Sequence, residues 1–508
     1  MPCATSFALA CLASLTILAG APLSAAGTSE GNSDTIERAV AAIEGQLEDM
    51  RVDEAAYAVI SGEEQAVAGH GTASADTPFV IASVSKSITA LATLQLVDRG
   101  LVSLDAAVTD YIDWFTTAEP TNSITVRQLL NQTSGLSTLD GIRDAFSPEV
   151  TLEERVRSIA DFDLVSEPGA EFHYSNLNYA VLGLIVETVS GTAYGEFVEG
   201  EVFDPIGMDH SYSDLALAQA DGLATGTFTV FGVPVSLSQT AHPGLVPDGY
   251  LISTASDLAR YVRFQMGDGT LDGVRLLSSE LMAAMHTPVG AGPGGRYLDH
   301  YAMGWRTGSI DGQSLFAHDG NTFGFHTDVA VLPELDSAVV VLVARSGIMV
   351  NRLDAAALEA LTGGTPHGGG SYTIAWVVLD AVLALVILGS VISVVLRRRR
   401  RRMNPPPIPH RWPAILQIVA AVVIGAAVAL LANSLAGGLD LVTFRTFWGL
   451  APDVLIVAVA IPLLLIAAGI TTFWERRTEQ RLPTTEADPH FPRLPTSGSQ
   501  SETSVEHV

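Results

Sequence analysis

The soluble and membrane-like parts of the chain are separated first by the spacing of their apolar residues. Ile36, Val40, Ile43 and Leu47 recur at helical intervals within 33–50, which predicts an N-terminal helix with Ser33 as its cap candidate. Ala55–Ala68 reads as a hairpin with Gly62 in the turn, and Thr77–Ala82 as a short buried segment. Ser83–Arg99 reads as a helix stopped by Gly100. From about 101 to 290, helical patterns alternate with loops rich in Gly, Pro and Ser. Strand patterns return at Tyr301–Thr307, Ser314–Ala317, Asp328–Leu332 and Ala338–Ala344, and Asn351–Leu361 reads as a closing helix. Strands and helices at both ends around a mainly helical middle predict an α+β domain over 27–365.

Beyond a glycine-rich linker at 366–372, three apolar stretches follow at Thr373–Leu396, Pro413–Leu439 and Ala451–Trp474. Each is long enough to cross a bilayer core. Six consecutive arginines, Arg397 to Arg402, lie between the first and second, and Arg476, Arg477 and Arg481 follow the third. The preference of basic loops for the cytoplasm then orients the first helix from outside to inside. Trp376, Trp412, Trp448 and Trp474 fall at the expected interfaces. At the other end, the apolar run Phe7–Gly20 followed by Ser24-Ala25-Ala26 reads as a signal peptide over 1–26, although it starts without a basic residue. Both signals put the 27–365 domain outside the cytoplasm in a multi-pass membrane protein. The tail 475–508, rich in Pro, Ser, Thr and acidic residues, is expected to be disordered and cytoplasmic.

Charge narrows the partners. The 508-residue chain has a net charge of −28, but 12 of its 27 basic and 9 of its 55 acidic residues lie after 370. The first part therefore carries about −31, a surface that repels phosphate backbones and makes nucleic acid an unsuitable partner. Both cysteines, Cys3 and Cys11, fall within the signal segment, which leaves the mature domain without thiol chemistry or disulfides. The 12 histidines show no zinc-type spacing such as His-Glu-x-x-His, and no phosphate-cradling glycine loop or Gly-x-Ser-x-Gly occurs. Neither a metal nor a cofactor is expected.

The chain contains a single lysine, Lys86, three residues after Ser83 in Ser83-Val84-Ser85-Lys86. On a helix, that spacing puts both side chains on one face. Arginine cannot stand in where a side chain must hand on a proton. A helix start also supplies free backbone N–H groups beside the serine. Taken alone, the pair fits a capping serine and a solvated lysine equally well. Two further sets follow in order: Tyr174-Ser175-Asn176, and His318-Asp319-Gly320 on an expected late strand.

The ordered set Ser-x-x-Lys, Tyr-x-Asn and basic-x-Gly resembles the serine β-lactamase and penicillin-binding protein superfamily, in its class C β-lactamase-like branch. Leu129-Leu130-Asn131-Gln132-Thr133-Ser134-Gly135-Leu136 and Gly249-Tyr250-Leu251-Ile252-Ser253-Thr254-Ala255-Ser256-Asp257-Leu258-Ala259 resemble further stretches of that branch. The resemblance implies a β-lactamase/transpeptidase-like fold, with an antiparallel sheet flanked by terminal helices and a helical subdomain. It implies that Ser83 forms an acyl-enzyme while Lys86 and Tyr174 share the proton transfers. Asn176 would bind the substrate amide and Lys86, and His318 would line the strand edge of the cleft. Gly320 would let the substrate approach, and the N–H groups of Ser83 and Asn321 would hold the oxyanion. The implied substrates are small peptides, esters or cell-wall fragments. Two positions depart from the pattern. His318 stands where β-lactamases of the branch have lysine, which counts against β-lactamase activity itself, and Gln132 stands where histidine is frequent. A sensor that is acylated without turnover is the alternative in another functional class.

Overall fold

The computed structural model describes residues 29–118, 123–143, 150–230, 233–290, 292, 297–346 and 353–366, with scattered helical positions between 385 and 403. The chain divides into two compact units, and the described residues up to Pro366 belong to the first. In the second, Leu385, Leu388, Val391, Ile392, Val395 and Leu396 are helical and exposed. The signal peptide, the remainder of the first apolar span, the other two spans and the tail lie outside the described residues. Among the described residues, no single helix is long and apolar enough to cross a membrane.

The frame of the first unit is a seven-stranded antiparallel sheet. Its strands are β1 (Glu54–Ser61), β2 (Glu64–Gly71), β3 (Leu298–Tyr301), β4 (Arg306–Ile310), β5 (Gln313–Thr322), β6 (Phe325–Leu332) and β7 (Ser337–Val343). They lie in the order β2-β1-β7-β6-β5-β4-β3, so the first hairpin forms one edge of the sheet and pairs there with the last strand. Both faces of the sheet are covered, and successive residues serve alternate faces. Ala55, Tyr57 and Val59 face a core shared with the N-terminal helix α1 (Ser29–Asp49) and a C-terminal helix. Ala56, Ala58 and Ile60 face the larger core under the helical middle.

That middle supplies α2 (Ser85–Asp98), α3 (Asn176–Ser190) and α4 (Ala255–Met266), and α5 (Ala355–Leu361) closes the unit. α2 is enclosed all round: every residue from Ser85 to Leu96 is buried, the polar Ser85, Lys86, Ser87, Thr89, Thr93 and Gln95 among them. The expected α+β arrangement is therefore observed. Three local expectations are corrected. Ser33 is not a cap, because α1 begins at Ser29 and carries Ser33 within its second turn. The stretch Tyr301–Thr307 is two strands, split by a reversal at Gly304, whose φ is +82°. The described part of the closing helix begins at Ala355, whereas Asn351 and Arg352 lie outside the described residues.

Candidate active site

The site assembles where α2, the start of α3 and β5 converge. Ser83 sits in a single 3-10 turn, Ala82–Val84, that runs directly into α2. The residue before it, Ala82, has φ +47°, a left-handed conformation that side chains other than glycine seldom take. Strain of this kind persists where the surroundings over-determine the backbone. Here β5 presses on the turn: a Cβ on Gly320 would lie 2.5 Å from the Ile81 carbonyl oxygen and 2.9 Å from Ser83 N. The expectation that Gly320 makes room for substrate is thus revised. It makes room for the turn that carries Ser83, and so brings the Gly320 backbone alongside the Ser83 amide.

Lys86 is wholly buried, and its Nζ donates to Ser83 Oγ at 3.1 Å and to the Asp248 carbonyl at 2.5 Å. The same Nζ stands 5.0 Å from the centre of the Tyr174 ring. Ser83, Lys86 and Tyr174 are therefore gathered in one place. Asn176 opens α3, but its amide donates to the Gly141 carbonyl at 3.5 Å, and its Oδ1 is buried without a partner. The expected bond from Asn176 to Lys86 is absent among the described residues.

His318 is placed differently from the expectation. It is 1% exposed and packs beside Tyr174 and Tyr301, with ring centres 6.2 and 6.1 Å away. Its Nδ1 lies 2.7 Å from the Asp319 carbonyl, which only a protonated Nδ1 can satisfy, and its Nε2 lies 3.5 Å from the Tyr301 hydroxyl. Burial first, then the nearby Arg306 charge, pushes its pKa down from 6.5 to about 3. His318 is thus a neutral support beneath the tyrosines, with both nitrogens engaged, and it does not present a charge at a cleft edge.

The cation beside the site is Arg306, which sequence patterns did not single out. It starts β4, opposite Ala317 of β5, with its guanidinium 5.8 Å from the centre of the Tyr174 ring. Its Nη1 pairs with Asp319 Oδ1 at 2.5 Å. Burial is the largest influence and works against the Asp319 charge, but Arg306 and the neighbouring groups together hold that carboxyl below its ordinary range.

Gln132 now has a structural role. It is wholly buried at φ +61°, and its two carbonyl oxygens hold the backbone on either side of Tyr174. The main-chain oxygen accepts from His173 N and the side-chain Oε1 from Ser175 N, both at 2.9 Å. Oε1 also accepts from Asn178 Nδ2, whose own Oδ1 accepts from Ser134 at 2.5 Å. Among the described residues, no group of three or more His, Cys, Asp or Glu side chains is placed to hold a metal ion.

Comparison with known proteins agrees with this geometry. Residues 39–364 match the Beta-lactamase family. Protein flp of Staphylococcus aureus (strain COL) is 28% identical over 273 residues, which is 53% of each chain. Penicillin-binding protein 4 of Amycolatopsis lactamdurans is 29% identical over 286 residues, 54% of this chain and 73% of that one. The chain spans about half the length of the first curated relatives it matches. Among solved structures, the octameric penicillin-binding protein homologue from Pyrococcus abyssi superposes with a TM-score of 0.59 at 26% identity, covering 65% of this chain and 78% of that chain. Since the family match extends over more than half of its length, the chain belongs to the beta-lactamase family, within the superfamily of serine β-lactamases and penicillin-binding proteins.

Proposed function

We propose that this protein is a membrane-tethered serine hydrolase, acting outside the cytoplasm, that cleaves an amide or ester through an acyl-enzyme on Ser83. The observation that carries the reading is the chain's single lysine, wholly buried, with its Nζ on Ser83 Oγ at 3.1 Å and the Tyr174 ring beside it. A nucleophile within hydrogen-bond reach of its proton acceptor is the arrangement that acyl transfer requires. Ser83 Oγ attacks the carbonyl carbon and its proton passes to the Lys86–Tyr174 pair. The pair then delivers that proton to the departing nitrogen or oxygen. The N–H groups of Ser83 and Asn321 hold the tetrahedral oxyanion, a contribution on the order of 3 kcal/mol for one donor. Water then hydrolyses the ester and restores Ser83.

Arg306 extends the reading to substrate class. A guanidinium close to Tyr174 favours a substrate carrying a carboxylate near the scissile bond. Small D-peptides and cell-wall fragments meet that description, and two of the relatives above are penicillin-binding proteins by name. The apolar spans and the arginine run support placement of the domain outside the membrane.

The test exposes the full-length chain to a fluorescent penicillin and a fluorophosphonate, with Ser83→Ala as control. Label is expected on the native chain and absent from the variant. Arg306→Gln is expected to lower kcat/KM about tenfold for a carboxylate-bearing D-peptide while sparing a neutral ester, consistent with loss of one charge-assisted contact. A native chain that takes neither probe and turns over neither substrate overturns the reading. Stoichiometric label without turnover favours a sensor.

A further inference from the structure

Lys86 has a second anchor, and that anchor is itself held by a buried ion pair. The Asp248 carbonyl that accepts from Lys86 lies in the irregular segment Val246–Tyr250. From α2, Thr89 Oγ1 donates to the Pro247 carbonyl at 2.5 Å, and Ser85 Oγ accepts from Leu251 N at 3.1 Å. From α3, Gly183 leaves no slack, since a Cβ there would lie 2.4 Å from Pro247 Cγ. The last hold comes from Arg155, in the short helix Leu152–Arg157. Its Nη1 donates to the Gly244 carbonyl at 2.7 Å and to Asp248 Oδ1 at 2.5 Å, and its Nη2 to Asp248 Oδ2 at 3.2 Å. Arg155 and Asp248 are 1 and 2% exposed.

A fully buried ion pair is a poor stabiliser, because desolvating both charges offsets most of their attraction and an apolar pair can often replace it. Its distinctive contribution is geometric. A planar fork on a carboxylate fixes both distance and orientation. Here the fork grips the side chain of the very residue whose carbonyl receives Lys86, and it also ties down Gly244 four residues earlier. Rotation of the 248 peptide would turn that carbonyl away from Nζ and free the amine to leave Ser83. Thr89 and Ser85 hold the neighbouring residues, whereas the ion pair grips residue 248 through its own side chain.

We infer that Arg155 is a positioning residue for the reaction: through Asp248, it fixes the carbonyl that keeps Lys86 Nζ on Ser83 Oγ. The inference rests on the hydrolase reading above and adds a residue far from the sequence motifs. It is tested in the full-length chain with Arg155→Met, Asp248→Leu and the double variant. Acylation by a fluorescent penicillin and turnover of an ester are read together with thermal unfolding. The double variant leaves no charge unpaired and is expected to unfold near the native temperature, yet to acylate about a hundredfold more slowly at unchanged KM, the scale of a misplaced catalytic group. Arg155→Lys, which keeps the charge but loses the fork, is expected to fall between. Should the double variant not fold, Arg155→Lys and Asp248→Asn carry the test, and each must lose more rate than folded protein. Native-like acylation by a folded double variant, or rates that only follow the folded fraction, overturn the inference alone. A native chain that is never acylated at Ser83 overturns the hydrolase reading and this inference with it.

Discussion

Gln132 illustrates how the placing of one site residue, Tyr174, can depend on another some forty residues away. Tyr174 lies just before α3, and the backbone on both of its sides is fastened to the two carbonyl oxygens of Gln132. In Gln132→Ala the main-chain bond remains, while the Ser175 N–H and the Asn178 amide lose their acceptor inside the protein. A stability loss of about 1–3 kcal/mol is expected from an orphaned buried donor, measured by denaturant unfolding. The acylation rate should fall further than the folded fraction, because Tyr174 is released on one side. Ser83 and Lys86 stood out in the sequence through the single lysine and its spacing, and Tyr174 through the resemblance that the ordered motifs carry. Gln132 was visible only as a departure from a pattern, since the donors to its two carbonyl oxygens are about forty residues away and two of those three are backbone amides. Arg306 was hidden for a related reason. Its relevance arises only once β4 pairs with β5 and brings it to Asp319.

Among the elements, β5 does most to shape the site, and its reach was underestimated from sequence. The alternation of apolar residues marked only Ser314–Ala317, whereas the strand continues to Thr322. The polar run His318-Asp319-Gly320-Asn321 breaks the alternation because β4 begins only opposite Ala317, leaving this part of β5 to pack against the Ser83 turn and Tyr174. The apolar run around Tyr301–Thr307 misled in the opposite sense. It looked like one strand, but Gly304 turns the chain where a Cβ would lie 2.8 Å from the Lys86 carbonyl oxygen. Close approach of this kind leaves no periodic signal. Gly320→Ala tests the contact between strand and turn. The added methyl meets backbone atoms at 2.5 and 2.9 Å, so the strand or the turn must move. About 1–3 kcal/mol of stability is expected to be lost through overpacking. The acylation rate should fall about a hundredfold, as when one oxyanion donor is displaced. A variant that acylates like the native chain would show that the two N–H groups are not set by this contact.

At the scale of the whole molecule, the response to acid follows from its buried histidines. Burial pushes His286 from 6.5 to about 3, and burial together with Arg306 does the same to His318. Between those two pH values the unfolded chain binds protons at these sites that the folded chain does not. Stability should therefore fall as pH drops from about 6.5 towards 3, by at most about 1.4 kcal/mol per pH unit for each histidine. His326 acts in the opposite sense, because Asp328 outweighs burial and raises its pKa, so its contribution is lost as pH rises. His286→Gln removes one titrating group while leaving a polar side chain near Gln265. Its melting temperature should decline less steeply than that of the native chain from pH 6.5 to pH 4, as followed by calorimetry. An unchanged slope would show that His286 does not contribute. The α+β character of the first unit was legible in the sequence, since hydrophobic periodicity reports burial directly, whereas the sheet flanked by terminal helices came only from the resemblance.

The central claim is that Ser83 forms a covalent acyl intermediate with Lys86 at its side. The most direct measurement is intact and peptide mass spectrometry of the full-length chain, quenched in acid milliseconds after mixing with a penicillin or an activated ester. The account predicts a mass increase equal to the acyl group, located on the peptide containing Ser83, and greatly slowed by Lys86→Met without loss of folding. An adduct on another residue, or turnover that persists in Ser83→Ala, would contradict it.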